Sequence, residues 1–383
     1  MMKIALVLKT NQGGLWTVPQ LKALRERGHE VLALIPRGPG KLRTALEREG
    51  IRIVDISAPF RVSPPWKAAR VVAEVRRALR REEPDVIFYH LIHSALVARF
   101  ASLGLRMKRV HMVAGPLYLE SRRIAAIEAR LARLDDHIIA GSDYTRDRYV
   151  EIGLSASQVT AVPYGVDTKR FSPDAMGSLE RPDRASAPFT VAMVAYVYAP
   201  KSAVFPGVGI KGHDVLLGAW ARFSNSRDDV HLVLVGSGFD AAGEAHRQRL
   251  MAKYRVATDD SITWYDSVAD VRPTYSSSHL SVAPSLSENH GSALESSSMG
   301  IPAIVSDAGA LPEAVLAGVT GWVVPRGNDE ALLDALIAAY DEHMRGLLAM
   351  KGQRARARML EKFDLSTCSS RVAAIIEETA QSF

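Results

Sequence analysis

A chain of 383 residues, 47% hydrophobic and 23% charged, holds enough apolar mass for two domain cores and too little charge bias for a disordered chain. Its single cysteine, Cys368, excludes internal disulfides, and no window approaches the roughly 20 apolar residues of a bilayer span, so the sequence reads as a cytoplasmic protein that does not cross a membrane. The formal charge of +6 is uneven: residues 1–170 carry 29 Lys and Arg against 17 Asp and Glu, a net of +12, which leaves −6 for the remainder. No helix-turn-helix, RNP or zinc-finger pattern accompanies the basic half, which argues against nucleic acid and leaves an anionic membrane surface as the suited partner.

Residues 4–8 form an apolar run that predicts a strand, followed by the turn Thr10-Asn11-Gln12-Gly13-Gly14, a helix over 17–27 closed by Gly28, and a strand over 31–35. The unit is Rossmann-like, but it lacks the G-x-G-x-x-G spacing. Pro36-Arg37 stand where an acidic ribose ligand would be expected, so a dinucleotide is disfavoured. A weak strand over 51–56 precedes a helix over 66–81. Val71, Val72, Val75 and Leu79 give that helix an apolar face; Lys67, Arg70, Arg76, Arg77, Arg80 and Arg81 make a basic one, each residue worth about 1 kcal/mol at an anionic bilayer.

Strands over 86–89 and 110–114 follow, the first ending in His90 and His93, the second containing His111. A helix over 123–134, a strand over 137–140, a turn with Ser142 as N-cap and a strand over 159–162 complete the first half. The polar stretch 172–188 has no periodicity and reads as a linker. Alternation then restarts: strands over 189–194, 230–235 and 261–264, helices over 214–223 and 243–254, a strand over 321–324, a helix from Asp329 and a last helix over about 366–379. Strand–helix alternation twice over predicts an α/β protein with two doubly wound parallel sheets.

The most informative stretch is 279–302. Leu280, Val282 and Ala283 make a buried run that Pro284-Ser285 ends; the loop beyond carries Glu288, and Gly291 opens a helix holding Glu295. In parallel sheets ligands sit at the carboxyl ends of strands, where free helix N–H groups attract anions, and paired carboxylates suit hydroxyl-rich ligands. A sugar nucleotide offers both features.

In order, Pro284-Ser285, Glu288, Gly291, Leu294-Glu295, Gly300-Ile301-Pro302, the strand 303–305, Ser306-Asp307, Gly309 and Leu311-Pro312-Glu313 resemble the signature of retaining glycosyltransferases of GT-B fold, family-4 type, the glycosyl transferases group 1. Lys211-Gly212, and Pro163-Tyr164-Gly165-Val166-Asp167 ahead of Phe171, resemble two further segments of that family. The chain departs from the pattern at three points. Six residues separate the two glutamates instead of the usual seven; Tyr196-Val197-Tyr198 replaces the usual Gly-Arg, with Lys201 as the substitute cation; and Ala114 occupies the place of a strand-end histidine.

The resemblance implies a GT-B architecture: two Rossmann-like domains facing a cleft, 1–180 on the acceptor side and 188–365 binding the nucleotide sugar, with 366–383 crossing back to the first. It implies a retaining transferase that moves a sugar from a nucleotide-diphosphate sugar to a hydroxyl of a glycan, a lipid-linked or a small acceptor, in cell-envelope polysaccharide, glycolipid or small-glycoside synthesis; the basic first half suits a cytoplasmic protein that can sit peripherally on the inner face of the membrane. Glu295 would hold the ribose, Glu288 the donor sugar, and Lys211 with Lys201 the diphosphate. Backbone at Gly13, Gly14, Asn289, His290, Gly291 and Ser292 would complete the anion site, and His90 or His111 would stand in for the missing histidine. The sequence holds no Asp-x-Asp and no histidine–carboxylate cluster, so no metal and no other cofactor is expected. A sugar-nucleotide epimerase or phosphorylase of the same fold, and a catalytically weak nucleotide-sugar-binding homologue, are the alternatives.

Overall fold

The computed structural model describes residues 1–60, 63–115, 117–176, 187–200 and 206–382. The chain divides into two compact units: Met1–Gly165 with Leu365–Phe383, and Val166–Asp364. Most of the expected linker, and Lys201, lie outside the described residues.

The first unit holds strands β1 (Lys3–Val7), β2 (Glu30–Pro36), β3 (Arg52–Ile56), β4 (Val86–His90), β5 (Lys108–Val113), β6 (His137–Ala140) and β7 (Val159–Ala161). Its helices are α1 (Thr17–Glu26), α2 (Lys41–Arg48), α3 (Pro65–Glu82), α4 (Ile92–Ser102), α5 (Arg122–Leu131) and α6 (Asp143–Glu151). The seven strands form one parallel sheet in the order β3-β2-β1-β4-β5-β6-β7. A parallel sheet covered on both faces buries whole strands, which is why β1 and β4 read as unbroken apolar runs. Ser142 caps α6, its hydroxyl accepting from the Thr145 N–H.

The second unit holds β8 (Phe189–Val194), β9 (Val230–Val235), β10 (Ile262–Tyr265), β11 (Leu280–Ala283), β12 (Ala303–Ser306) and β13 (Gly321–Val324) in the parallel order β10-β9-β8-β11-β12-β13. Around them lie α7 (His213–Phe223), α8 (Ala241–Lys253), α9 (Arg272–Ser276), α10 (Ser292–Ser298), α11 (Leu311–Ala314), α12 (Asp329–Met344) and α13 (Leu348–Lys362). The last helix, α14 (Leu365–Gln381), belongs to the first unit and packs along α1. Cys368, Val372, Ala373 and Ile376 fall on one face at helical spacing and join the core of β1, β4 and α1. Beside them, Glu377 accepts from Arg27 at 2.6 Å and lies 2.7 Å from His29 Nε2.

Five helices escape the sequence pattern, among them the short α9 and α11. Of the apolar residues in α2, the structure buries Leu42 and Leu46; α13 is rich in Arg and Lys; and α4 begins inside the segment expected to be a strand end. His93 consequently stands in the first turn of α4, and β5 ends at Val113, short of Ala114.

Candidate functional site

Each sheet reverses its strand order once, at β1/β4 in the first unit and at β8/β11 in the second, and such switch points open crevices at the carboxyl ends of the strands.

At the β8/β11 switch point the second unit has a cavity of about 150 Å³. Lys211 from the loop before α7, Glu288 from the loop after β11, and Gly291 and Ser292 at the start of α10 line it, with Tyr196 and Tyr198 beyond β8. The Lys211 ammonium donates to Glu288 Oε2. Two glycines make this approach possible. Gly212, at φ +75°, brings the Lys211 loop so near β11 that a Cβ there would sit 2.1 Å from the Pro284 carbonyl oxygen. Gly309, at φ +58°, packs under the Glu288 loop, where a Cβ would fall 2.1 Å from the Glu288 carbonyl oxygen. Further hydrogen bonds fix the loop: Leu286 N–H to Ile210 C=O at 2.8 Å, Ala310 N–H to Glu288 C=O at 3.2 Å, and Ser306 Oγ to Ser285 C=O at 2.5 Å.

Glu295 follows Ser292 by one turn of α10, mostly enclosed. Burial raises its carboxyl to about 7, against the smaller opposing effects of the Tyr275 hydroxyl, which donates at 3.4 Å, and of Arg170. Asn289 N–H bonds the Glu288 carboxylate at 3.1 Å. His290 turns away from the cavity: it is buried against Phe363, ring centroids 5.2 Å apart, with Nε2 at 3.6 Å from Glu313. The loop expected to present four backbone groups in a row therefore sends one of its side chains into the core. Tyr275 and Arg170 were not singled out by the sequence reading, because each reaches Glu295 from a distant part of the chain. Nor was Arg326, which donates to the Leu286 carbonyl oxygen of the signature loop at 3.2 Å.

At the β1/β4 switch point of the first unit, Gly13 is exposed and Gly14 is buried against Leu8. His90, at the end of β4, is fully buried; its Nδ1 lies 3.1 Å from the Tyr164 hydroxyl, and its Nε2 has no hydrogen-bond partner. Burial lowers its pKa to about 3, so the ring is neutral. Lys9 Nζ, at the end of β1, is 3.3 Å from His93 Nδ1, adding a cation the sequence reading passed over.

His111 is placed elsewhere. It is buried in β5, stacked on Tyr89, with Nδ1 3.2 Å from Arg99 Nη2. Arg99 is itself fully buried and pairs with Glu128 at 2.8 Å and Asp135 at 2.6 Å. Tyr149 donates to Glu128 at 2.9 Å, and Tyr89 donates to Asp135. A buried guanidinium with two carboxylates around it is a structural ion cluster, and its positive charge together with burial holds His111 neutral. His111 therefore cannot take the strand-end place proposed for it.

Among the described residues, no group of three or more His, Cys, Asp or Glu could hold a metal ion, and no helix is long and apolar enough to cross a membrane.

Comparison with known proteins agrees with this geometry. A family described as "Glycosyl transferases group 1" matches residues 201–342, and "Glycosyltransferase Family 4" matches residues 20–170. A GDP-mannose-dependent alpha-mannosyltransferase of Mycobacterium tuberculosis is 28% identical over 87% of this chain and 85% of its own. A phosphatidyl-myo-inositol mannosyltransferase of Mycobacterium leprae is 27% identical over 94% and 91%. Among solved structures, a glycosyltransferase from Rickettsia africae superposes with TM-score 0.80 at 17% identity over 100% of this chain and 99% of that one. Anabaena HepE in complex with UDP and glucose does so with TM-score 0.78 at 20% identity over 99% and 100%.

Proposed function

This chain belongs to the group 1, family-4 type glycosyltransferases of GT-B fold, and from that premise we propose that it is a retaining transferase moving a hexose from a nucleoside-diphosphate sugar to an acceptor hydroxyl. The observation that carries the proposal is the convergence of Lys211, Glu288 and the start of α10 on one switch-point cavity, with the mostly enclosed Glu295 one turn further along that helix. A diphosphate leaving group accumulates negative charge as the glycosidic bond breaks, and the Lys211 ammonium stabilises that charge in a partly water-excluded site. Glu288 and Asn289 accept hydrogen bonds from the sugar hydroxyls, and Glu295 accepts from the ribose. His90 supplies a neutral, fully buried ring at the first unit's switch point, its Nδ1 beside the Tyr164 hydroxyl and its Nε2 without a hydrogen-bond partner. On this reading Lys211 and the backbone amides at the start of α10 would carry the phosphate charge without a metal ion.

The Mycobacterium tuberculosis relative supports a GDP-mannose donor, and the phosphatidyl-myo-inositol mannosyltransferase relative supports a membrane-borne acceptor. The exposed Lys67, Arg70, Arg77, Arg80 and Arg81 of α3, with Trp66 71% exposed at its start, suit an anionic bilayer. Arg76 is taken up instead by the Ala101 and Leu103 carbonyls.

The test is thermal stabilisation by UDP-, GDP-, ADP- and TDP-sugars without metal, followed by product analysis with the responding donor. Saturating donor at about 100 times its dissociation constant raises stability by roughly 2.7 kcal/mol. An α-linked product from an α-configured donor supports retention; an inverted product overturns it. A sugar phosphate formed with inorganic phosphate as acceptor points to a phosphorylase, and an epimerised nucleotide sugar to an epimerase.

A further inference from the structure

Past the end of β8 the backbone stays with the sheet. Ala195 N–H bonds the Val235 carbonyl at 3.0 Å, Val197 N–H bonds Ser237 at 3.0 Å, and Phe239 N–H returns to Val197 at 2.9 Å, with a parallel bridge between Val197 and Gly238. Side chains of extended backbone alternate between faces. Val197 enters the core, 0% exposed, so Tyr196 and Tyr198 share the opposite face. Phe239 stacks on Tyr198, ring centroids 4.6 Å apart, and meets Tyr196 edge-on at 6.0 Å.

Two features separate this cluster from ordinary packing. Tyr196 and Phe239 are 51% and 59% exposed although three rings are held together on a hydrogen-bonded scaffold. Both tyrosines line the cavity that holds Lys211 and Glu288. Burial and the nearby Glu288 carboxylate both raise the pKa of the Tyr198 hydroxyl, consistent with that proximity.

A carboxylate beside aromatic faces recognises a particular chemistry. A pyranose has hydroxyls around its rim, which a carboxylate accepts, and an apolar face of C–H bonds, which the electron-rich face of an aromatic ring attracts. A diphosphate has no such face; a nucleobase has a stacking face and N–H donors of its own, so an equal loss of nucleoside diphosphate and nucleotide sugar is the outcome that would assign the rings to the base instead. We propose that Tyr196, Tyr198 and Phe239 form a stacking subsite for the pyranose ring of the transferred sugar, beside Glu288. The proposal rests on the donor-site reading above.

Isothermal titration of UDP, GDP and ADP against UDP-glucose, GDP-mannose and ADP-glucose tests it on wild type, Tyr198→Ala, Tyr198→Phe and Phe239→Ala, with Phe239→Leu keeping apolar volume without a ring face. For the nucleotide pair that wild type binds, the ring-removing variants are expected to weaken the nucleotide sugar about five- to tenfold while the nucleoside diphosphate stays within about twofold, and Tyr198→Phe to retain wild-type affinity. Equal loss for both ligands, loss with Tyr198→Phe, or no loss in any ring variant overturns the subsite. A Lys211→Ala protein that binds both ligands like wild type overturns the donor-site reading instead, and a wild type that binds no nucleotide or nucleotide sugar overturns both.

Discussion

The Lys211 ammonium and the Glu288 carboxylate are hydrogen-bonded to each other across the cavity, 22% and 18% of their side chains exposed. A diphosphate and a sugar would each claim one partner of this pair, so donor binding exchanges one ion pair for two new interactions. Glu288→Gln removes the internal competitor for Lys211. The expected result is nucleoside-diphosphate affinity raised about fivefold, the equivalent of ~1 kcal/mol, together with a fall in transfer rate. Lys211→Ala should weaken both ligands by at least tenfold. Calorimetry with the diphosphate alone decides the point: a Glu288→Gln protein that binds it more weakly would show that the pair does not compete with phosphate.

Glu295 gives the protein a pH signature. Only the carboxylate accepts two ribose hydroxyls, so nucleotide affinity should rise as pH increases through about 7 and level off above it, and Glu295→Gln should flatten the profile. Stability follows the opposite sign. The folded pKa lies above the unfolded value of 4.5, so the native state holds this proton longer, and the group's contribution falls as pH rises from about 4.5 to 7. At pH 8 Glu295→Gln should therefore melt higher than wild type, by on the order of 2 kcal/mol. A lower melting temperature at pH 8 would show that the buried charge is better compensated than its surroundings suggest.

Arg99 serves the first unit's interior. Replacing it with Met leaves Glu128 and Asp135 buried without their cation, which should cost about 3–5 kcal/mol in denaturant unfolding. His111→Gln should lower the melting temperature while leaving the turnover of folded protein unchanged, whereas a catalytic His111 would lose turnover without losing stability.

α14 is a structural part of the first unit. Ile376 is fully buried against the core of β1 and α1, so Ile376→Ala should destabilise by about 2–5 kcal/mol. Proteolysis mapping should show the loss in Met1–Gly165, far away in sequence.

Most of this architecture was legible in the chain because parallel strands buried on both faces announce themselves as apolar runs: β6, β8, β9 and β13 have the bounds their composition suggests. The glutamates and Lys211 were legible from local words such as Pro284-Ser285 and Lys211-Gly212. What escaped depends on partners distant in sequence. Nothing local to His111 reports Arg99 or Asp135, nothing near Glu295 reports Tyr275, and the inward turn of His290 is set by Phe363, a long way downstream. Tyr196 and Tyr198 read as a detour, because the bridge that orders them is made with residues after β9.

The second unit is an insertion within the first, and its ends are zipped: Val166 N–H bonds the Phe363 carbonyl at 2.8 Å, and Val166 bridges Asp364. The chain leaves and re-enters at one spot, so threading 199 residues between β7 and α14 adds little loop-closure entropy. Order of synthesis then becomes a physical variable. On the ribosome the inserted unit is complete while the unit that began first still has bare apolar surface along α1, which the later-made α14 covers. Stalling or frameshifting before α14 is made would strand the earlier-made unit unfinished, exposed to chaperones and proteases, with the inserted unit already folded.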